Sequence, residues 1–281
     1  MVSHFAVQKY SLKDFLPYIK TAQYRCMQPK QPSVMHPDEW QARVELAACY
    51  RIFATLGWTE MIYNHITLRL PESVSNGHKQ FLINPFGLHY SEVTASNLVK
   101  IDIHGTILDG STYPVNPAGF TVHAAIHDAK PEAHCIMHTH TTAGVAVAST
   151  AAGLLQNNFY SAQLHDLVAY HDFEGITIHA DEAPRLLKNI GNKPAVILRN
   201  HGLLAWGATL PQTFVTLWTL QRACEIQLAT LSMGAAIPVS EAVAAKCTQD
   251  SLQFDAKFGA GRDVFEAMQR LVDKIDDSYK S

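Results

Sequence analysis

Ala133-His134-Cys135-Ile136-Met137-His138-Thr139-His140 is an apolar run that delivers two imidazoles separated by a single residue. In an extended backbone the side chains at i and i+2 share a face, so His138 and His140 aim at one point. Neutral imidazole is the commonest protein ligand for a transition metal. A third ligand has to arrive from elsewhere in the chain. His201, in Leu198-Arg199-Asn200-His201-Gly202, also ends a β-branched apolar run and precedes a glycine. Three histidines on strand ends, with one coordination position left open, form the pattern of a catalytic metal rather than a structural one.

Outward from this stretch the chain alternates helical and extended segments, which makes the fold class α/β. Pro37-Asp38-Glu39 opens a helix whose apolar positions Val44, Ala47, Ala48, Ile52 and Leu56 recur at helical spacing up to Gly57. Ile62 to Leu70 and Gln80 to Ile83 read as strands, and Asn84-Pro85-Phe86-Gly87 as a turn. Leu98 to Asp102 and Thr106 to Leu108, on either side of His104-Gly105, predict a small hairpin. Asn116-Pro117 starts a helix with Asn116 as its cap, and this helix carries His123 and His127 one turn apart. Residues 156 to 181 are expected to be rich in loops and to hold substrate-facing polar groups. Pro194 to Leu198 and Leu203 to Trp206 are strands flanking His201. The longest helix runs from Leu210-Pro211 to Gly234, and Asp263 is expected to cap the last helical segment. The expected division is an N-terminal arm over 1–35, a main domain over 36–240 and a helical extension over 241–281.

The 281 residues are 47% hydrophobic and 17% charged, with a net charge of -3. That balance carries no electrostatic footprint for nucleic acid or an anionic membrane surface. Five cysteines, with no Cys-x-x-Cys pair, argue against a disulfide framework or a zinc knuckle and for a reducing, cytoplasmic setting. The chain shows no basic-then-apolar leader, and no apolar run reaches about 18 residues, so no membrane span is expected.

Six short motifs occur in order: Asn64-His65-Ile66-Thr67, Asn84-Pro85-Phe86-Gly87, Lys100-Ile101-Asp102, Asn116-Pro117-Ala118-Gly119-Phe120, His138-Thr139-His140 and Asn200-His201-Gly202. Together they resemble the class II aldolase/adducin family across roughly residues 38 to 235. Leu82 to Gly87, Tyr90 to Ser96 and Ile197 to Gly202 are closest to adducin heads. The resemblance implies a three-layer α/β/α sandwich with a central, mainly antiparallel sheet. It also implies a homo-oligomer, often a tetramer, with sites between subunits. It further implies a divalent metal on His138, His140 and His201, zinc first and manganese or iron(II) as alternatives. In the family's aldolases a Ser-Ser-Glu segment supplies a proton-handling glutamate and phosphate-holding hydroxyls; here Pro117-Ala118-Gly119 stands in its place. Asn64-His65 replaces the usual Gly-Asn phosphate element, and Phe86 puts a ring into the Thr-Pro-x-Gly element. His65, His123 and Tyr160 are the candidates to replace the missing glutamate. The expected function is a metal-dependent lyase that cleaves or decarboxylates a non-phosphorylated, small-molecule hydroxy or keto acid. Alternatives are a non-catalytic, adducin-like assembly module and a non-haem iron oxygenase on the same three histidines.

Overall fold

The computed structural model describes residues 35–176 and 180–281. The arm expected over residues 1–35 lies, except for Met35, outside the described residues. The elements are α1 (Pro37–Leu56), β1 (His65–Arg69), α2 (Glu72–Ser75), β2 (Gln80–Ile83), β3 (Val99–Asp102), α3 (Pro117–Ala129), β4 (Cys135–Thr139) and α4 (Thr142–Ala148). They continue with α5 (Phe159–Gln163), β5 (Val168–His171), α6 (Ala183–Ile190), β6 (Ala195–Leu198), β7 (Gly202–Gly207), α7 (Leu210–Met233), α8 (Glu241–Gln249) and α9 (Arg262–Ile275).

The strands form one seven-stranded sheet in the order β3-β2-β1-β4-β7-β6-β5. Every pairing is antiparallel except β5 with β6. Strand alternation sorts the sheet's side chains into two cores. On one face Ile66, Leu68, Cys135, Met137, Leu203 and Ala205 pack with α1, α4, α7 and α9. On the other, Ile136, Val196, Leu198 and Leu204 meet Val122 and Ile126 of α3 and Leu186 and Ile190 of α6. Helices therefore cover both faces, giving the three-layer sandwich with a mainly antiparallel centre. His138, two residues beyond Ile136, lies on the α3 face, and this places the site there.

α1 starts as its sequence dictates: Pro37 sits in the first turn, and His36 accepts a hydrogen bond from the Asp38 N–H at 3.2 Å. The helix ends at Gly57, whose φ of +75° a side chain would disfavour. Its buried Arg43 donates to Glu39 Oε1 (3.0 Å), the Leu98 carbonyl (2.6 Å) and Asp109 Oδ2 (2.9 Å), while Lys100 reaches Glu39 at 2.8 Å. These bonds tie α1 to the β3 edge of the sheet.

Four local expectations change. Thr106 to Leu108 forms no full strand, only an isolated bridge between Ile101 and Ile107. Residues 156–181 contain α5 and the edge strand β5, which is too short for its alternation to stand out in the sequence. Asn116 occupies the cap position of α3, but its side chain makes no capping bond. Gly261, with φ +81°, caps α9, and Asp263 sits within the first turn. Phe265 and Val272 of α9, with Tyr279, belong to the same core as α1 and α7, and Arg51 pairs with Asp276 at 2.7 Å. The C-terminal helices are thus packed into the domain they extend.

Candidate metal centre and active-site cavity

His138 is next to the last residue of β4, opposite Leu204 of β7 and His65 of β1, and His140 follows the strand's end. His201 lies in the turn between β6 and β7. Asn200 holds φ +55°, a conformation asparagine tolerates better than most residues. At Gly202 a Cβ would fall 2.3 Å from the Thr139 carbonyl oxygen, so only glycine lets this turn close over the end of β4. The turn brings the His201 ring within 4.8 Å of His138 and 4.9 Å of His140.

The nitrogens converge further. His140 Nε2 lies 2.7 Å from His138 Nε2 and 2.9 Å from His201 Nε2, and one ligand atom from each ring falls within 4.8 Å of the others. His138 Nδ1–H donates to the Leu203 carbonyl at 2.8 Å, which leaves the Nε2 lone pair facing its two partners. Metal-bound histidines are held in this way, the far nitrogen fixing both tautomer and ring orientation. The His140 N–H donates to Asn64 Oδ1 at 2.8 Å, so the backbone carrying His140 is anchored as well.

Burial, and then the mutual influence of the rings, holds His138 well below the ordinary histidine range. Burial lowers His140, and burial with the neighbouring His140 lowers His201 to about 4. All three are therefore neutral at physiological pH, the form in which imidazole ligates. The donor set fits a divalent transition metal: three neutral nitrogens, one with its tautomer fixed, converging at an open cavity.

That cavity has a volume of about 610 Å³, and its wall includes Phe86, Val122, Phe173 and Leu198 beside the three histidines. No lysine or arginine is among its described lining residues. His65 and His123 also line it, their ring centroids 4.3 Å apart. Burial pushes His65 down to about 3 and His123 well below the usual value. The backbones of Tyr63 and Gly119 act on the His65 ring, yet neither of its nitrogens completes a hydrogen bond.

The protonation of His123 follows from a relay behind it. His127 Nδ1 lies 2.7 Å from the Ala133 carbonyl, which can only accept, so this nitrogen carries the proton. His127 is pushed to about 3 by burial, so it is neutral and its Nε2 is an acceptor. The Thr67 hydroxyl, 2.8 Å away, must then donate to it. With that single proton committed, His123 Nδ1 must donate to Thr67 Oγ1, also at 2.8 Å. His123 Nε2 is left as a bare lone pair, buried and without a partner, on a ring that lines the cavity.

Of the sequence candidates, the structure brings together His65, His123, His138, His140 and His201. Tyr160 is elsewhere: on α5, its ring stands edge-on to Trp218 at 5.4 Å, and it is not among the cavity's lining residues. Arg199 donates to the Thr150 carbonyl at 2.8 Å and lies over the Tyr170 ring, a structural use. The sequence reading missed Glu60, the one acid among the described residues of the cavity wall. It sits in the irregular link between α1 and β1, where no periodicity points to it. The signal that was available is its place four residues before Asn64, in the segment leading into the first recognised motif.

The chain matches the family model described as Class II Aldolase and Adducin N-terminal domain over residues 44–228. It is 49% identical over 193 residues to alpha-adducin of Mus musculus, a match covering 68% of this chain and 26% of that protein. An aldolase II superfamily protein from Pseudomonas syringae superposes with a TM-score of 0.81 at 38% identity, covering 88% of this chain and 98% of the other. L-fuculose 1-phosphate aldolase from Glaciozyma antarctica PI12 gives a TM-score of 0.73 at 30% identity, covering 88% and 96%.

Proposed function

The chain belongs to the class II aldolase and adducin family, and from that premise we propose that it is a metal-dependent lyase cleaving a small, non-phosphorylated hydroxy-carbonyl compound by retro-aldol chemistry or the related decarboxylation. The observation that carries this reading is the convergence of three neutral imidazoles, His138 oriented through Leu203, at a 610 Å³ cavity. A pure scaffold has no use for three clustered lone pairs. His138, His140 and His201 would hold the ion, zinc in the first instance. The chemistry it supplies when bound is charge stabilisation at oxygen as a carbon–carbon bond opens.

The remaining wall argues for the substrate class. Phosphate binding ordinarily recruits arginine, lysine or hydroxyl donors, and the described wall offers no arginine or lysine. His123 adds no donor for an anion either, since its buried Nε2 carries only a lone pair, and Phe86, Val122 and Leu198 make the rest of the wall apolar. The L-fuculose 1-phosphate aldolase acts, by its name, on a phosphorylated sugar; the cavity here supports an unphosphorylated relative. The working unit is taken to be a homo-oligomer, because Met61 and Ile176, beside or on the cavity wall, are 76% and 78% exposed and would be covered by a second copy.

The test is elemental analysis of the purified protein followed by a cleavage screen of unphosphorylated ketoses and hydroxy-keto acids against their phosphate esters. About one zinc per chain and turnover confined to the unphosphorylated set are expected. A protein that turns over nothing at full metal occupancy would instead support an adducin-like assembly module, the reading favoured by Gly119 at the family's glutamate position and by the 49% identity to alpha-adducin.

A further inference from the structure

We infer that Glu60 is the proton-transfer carboxylate of this site, standing in for the glutamate whose place is taken by Gly119. The inference rests on the lyase reading above. Glu60 lines the same cavity as the three histidines and is the one acid on its described wall. It forms no salt bridge among the described residues; its partner is the side-chain amide of Asn64, which donates to Glu60 Oε2. The same amide group, through Oδ1, accepts from the His140 N–H at 2.8 Å, and its Nδ2 also donates to the Trp58 carbonyl at 3.0 Å. One buried side chain therefore sets the position of the carboxylate relative to a metal ligand.

The backbone agrees with a functional placement. Glu60 and Met61 hold φ of +37° and +61°, left-handed values unfavourable for residues with side chains, and consecutive ones are rarer still. Burial also raises the Glu60 carboxyl above its ordinary value, against the opposing pull of the Asn64 bond. Tyr63, His65 and His140 line the same cavity, and Tyr90 lies behind Asn64 with its hydroxyl on the Asn64 carbonyl. None of these supplies a fixed positive charge to neutralise the carboxylate.

In the cleavage direction, Glu60 takes the proton from the hydroxyl on the carbon that becomes the new carbonyl. The adjoining carbon–carbon bond breaks, and its electron pair remains on the carbon beside the original carbonyl. The Glu60 carboxylic acid then returns the proton to that carbon, and two carbonyl compounds leave. The sequence is redox-neutral and needs no further reactant.

The test compares wild type with Glu60→Gln, which keeps an acceptor for Asn64 but cannot carry the proton. Three measurements are made on zinc-loaded protein: bound zinc, the infrared carboxyl band as pH is varied, and exchange of dihydroxyacetone C–H protons into D2O. The proposal expects equal zinc in both proteins and a carboxyl band that titrates above the ordinary glutamate range only in wild type. It also expects exchange slowed about 10²- to 10⁴-fold in the variant, the usual weight of acid–base catalysis. Exchange retained by the variant at full zinc overturns the role of Glu60 and leaves the lyase reading standing. Loss of zinc from the variant also overturns it, making Glu60 a positioning residue. No exchange by the wild type overturns the lyase reading and the Glu60 role together.

Discussion

The ring of His65 lies against Gly119, so closely that a Cβ on residue 119 would come within 3.1 Å of its Cε1 and Nδ1. Two departures from the family pattern, the loss of the glutamate on α3 and the histidine after Asn64, are therefore one packing arrangement. The imidazole fills the space a side chain at 119 would need. Gly119→Glu should accordingly not rebuild an aldolase but should destabilise the fold by on the order of 1–3 kcal/mol through overpacking. The loss should shrink by at least half in a His65→Ala background. Urea denaturation of the four proteins of this double-mutant cycle measures it, and equal losses in both backgrounds would show that the two residues are uncoupled.

Asn64 binds no metal in this arrangement, yet it holds the backbone of His140. Removing such an outer partner typically weakens metal affinity about 10- to 100-fold. Asn64→Ala should therefore show zinc affinity reduced by that factor in competition with a chromophoric chelator, while His138→Ala should retain almost none. Chelation of the wild type should lower its melting temperature and added zinc should restore it. An Asn64→Ala protein with wild-type affinity would mean that His140 holds its place without the anchor.

The Thr67 hydroxyl accepts from His123 and donates to His127 between two buried rings. Thr67→Val removes both bonds at nearly constant volume and leaves two buried nitrogens unpaired. Each such orphan costs roughly 1–3 kcal/mol, so the variant should lose more stability than Thr67→Ser, which keeps the hydroxyl. Long-range ¹H–¹⁵N correlation spectra should find both His123 and His127 in the Nδ1–H form. A His123 protonated at Nε2 would reverse the relay and remove the acceptor from the cavity.

The clustering of His138, His140 and His201 was legible in the sequence because strand periodicity converts a spacing of two into a shared direction, and the apolar runs before His138 and His201 marked both strands. The sheet's antiparallel character and its two covering layers followed from the family motifs. Glu60 was not legible: it acts from a left-handed turn, and neither period marks such a position. The distance of Tyr160 from the cavity was equally hidden, since proximity across the fold depends on the path of α5 and β5, whose short segments carry little pattern. Gly119 could be seen to lack a carboxylate, but only packing shows that His65 is the reason a side chain is excluded there. Asn116 illustrates the reverse case, a residue at the expected cap position whose side chain does not make the expected bond.

Buried histidines make the protein sensitive to acid, and His65 and His127 are two of them. His65 and His127 titrate at about 3 in the folded chain, chiefly because burial penalises the charged ring, whereas an exposed histidine titrates near 6.5. Between those values the unfolded chain binds more protons than the folded one, so stability falls as pH falls. The stabilising effect is complete above about pH 6.5 and is lost progressively toward the folded values near 3. At about 1.4 kcal/mol per unit, each ring can cost on the order of 2 kcal/mol between pH 6.5 and pH 5. His127 lies away from the three clustered histidines, bonded to Thr67 and Ala133, so it separates this effect from any loss of metal there. Denaturant melts from pH 8 to pH 5 should be nearly level at first and then steepen below about 6.5. His127→Gln, though less stable throughout, should show a slope shallower by about one proton in that lower range. If its slope matches that of the wild type, His127 is protonated in the folded state or exchanges its proton freely, and the relay that fixes His123 as an acceptor loses its fixed end.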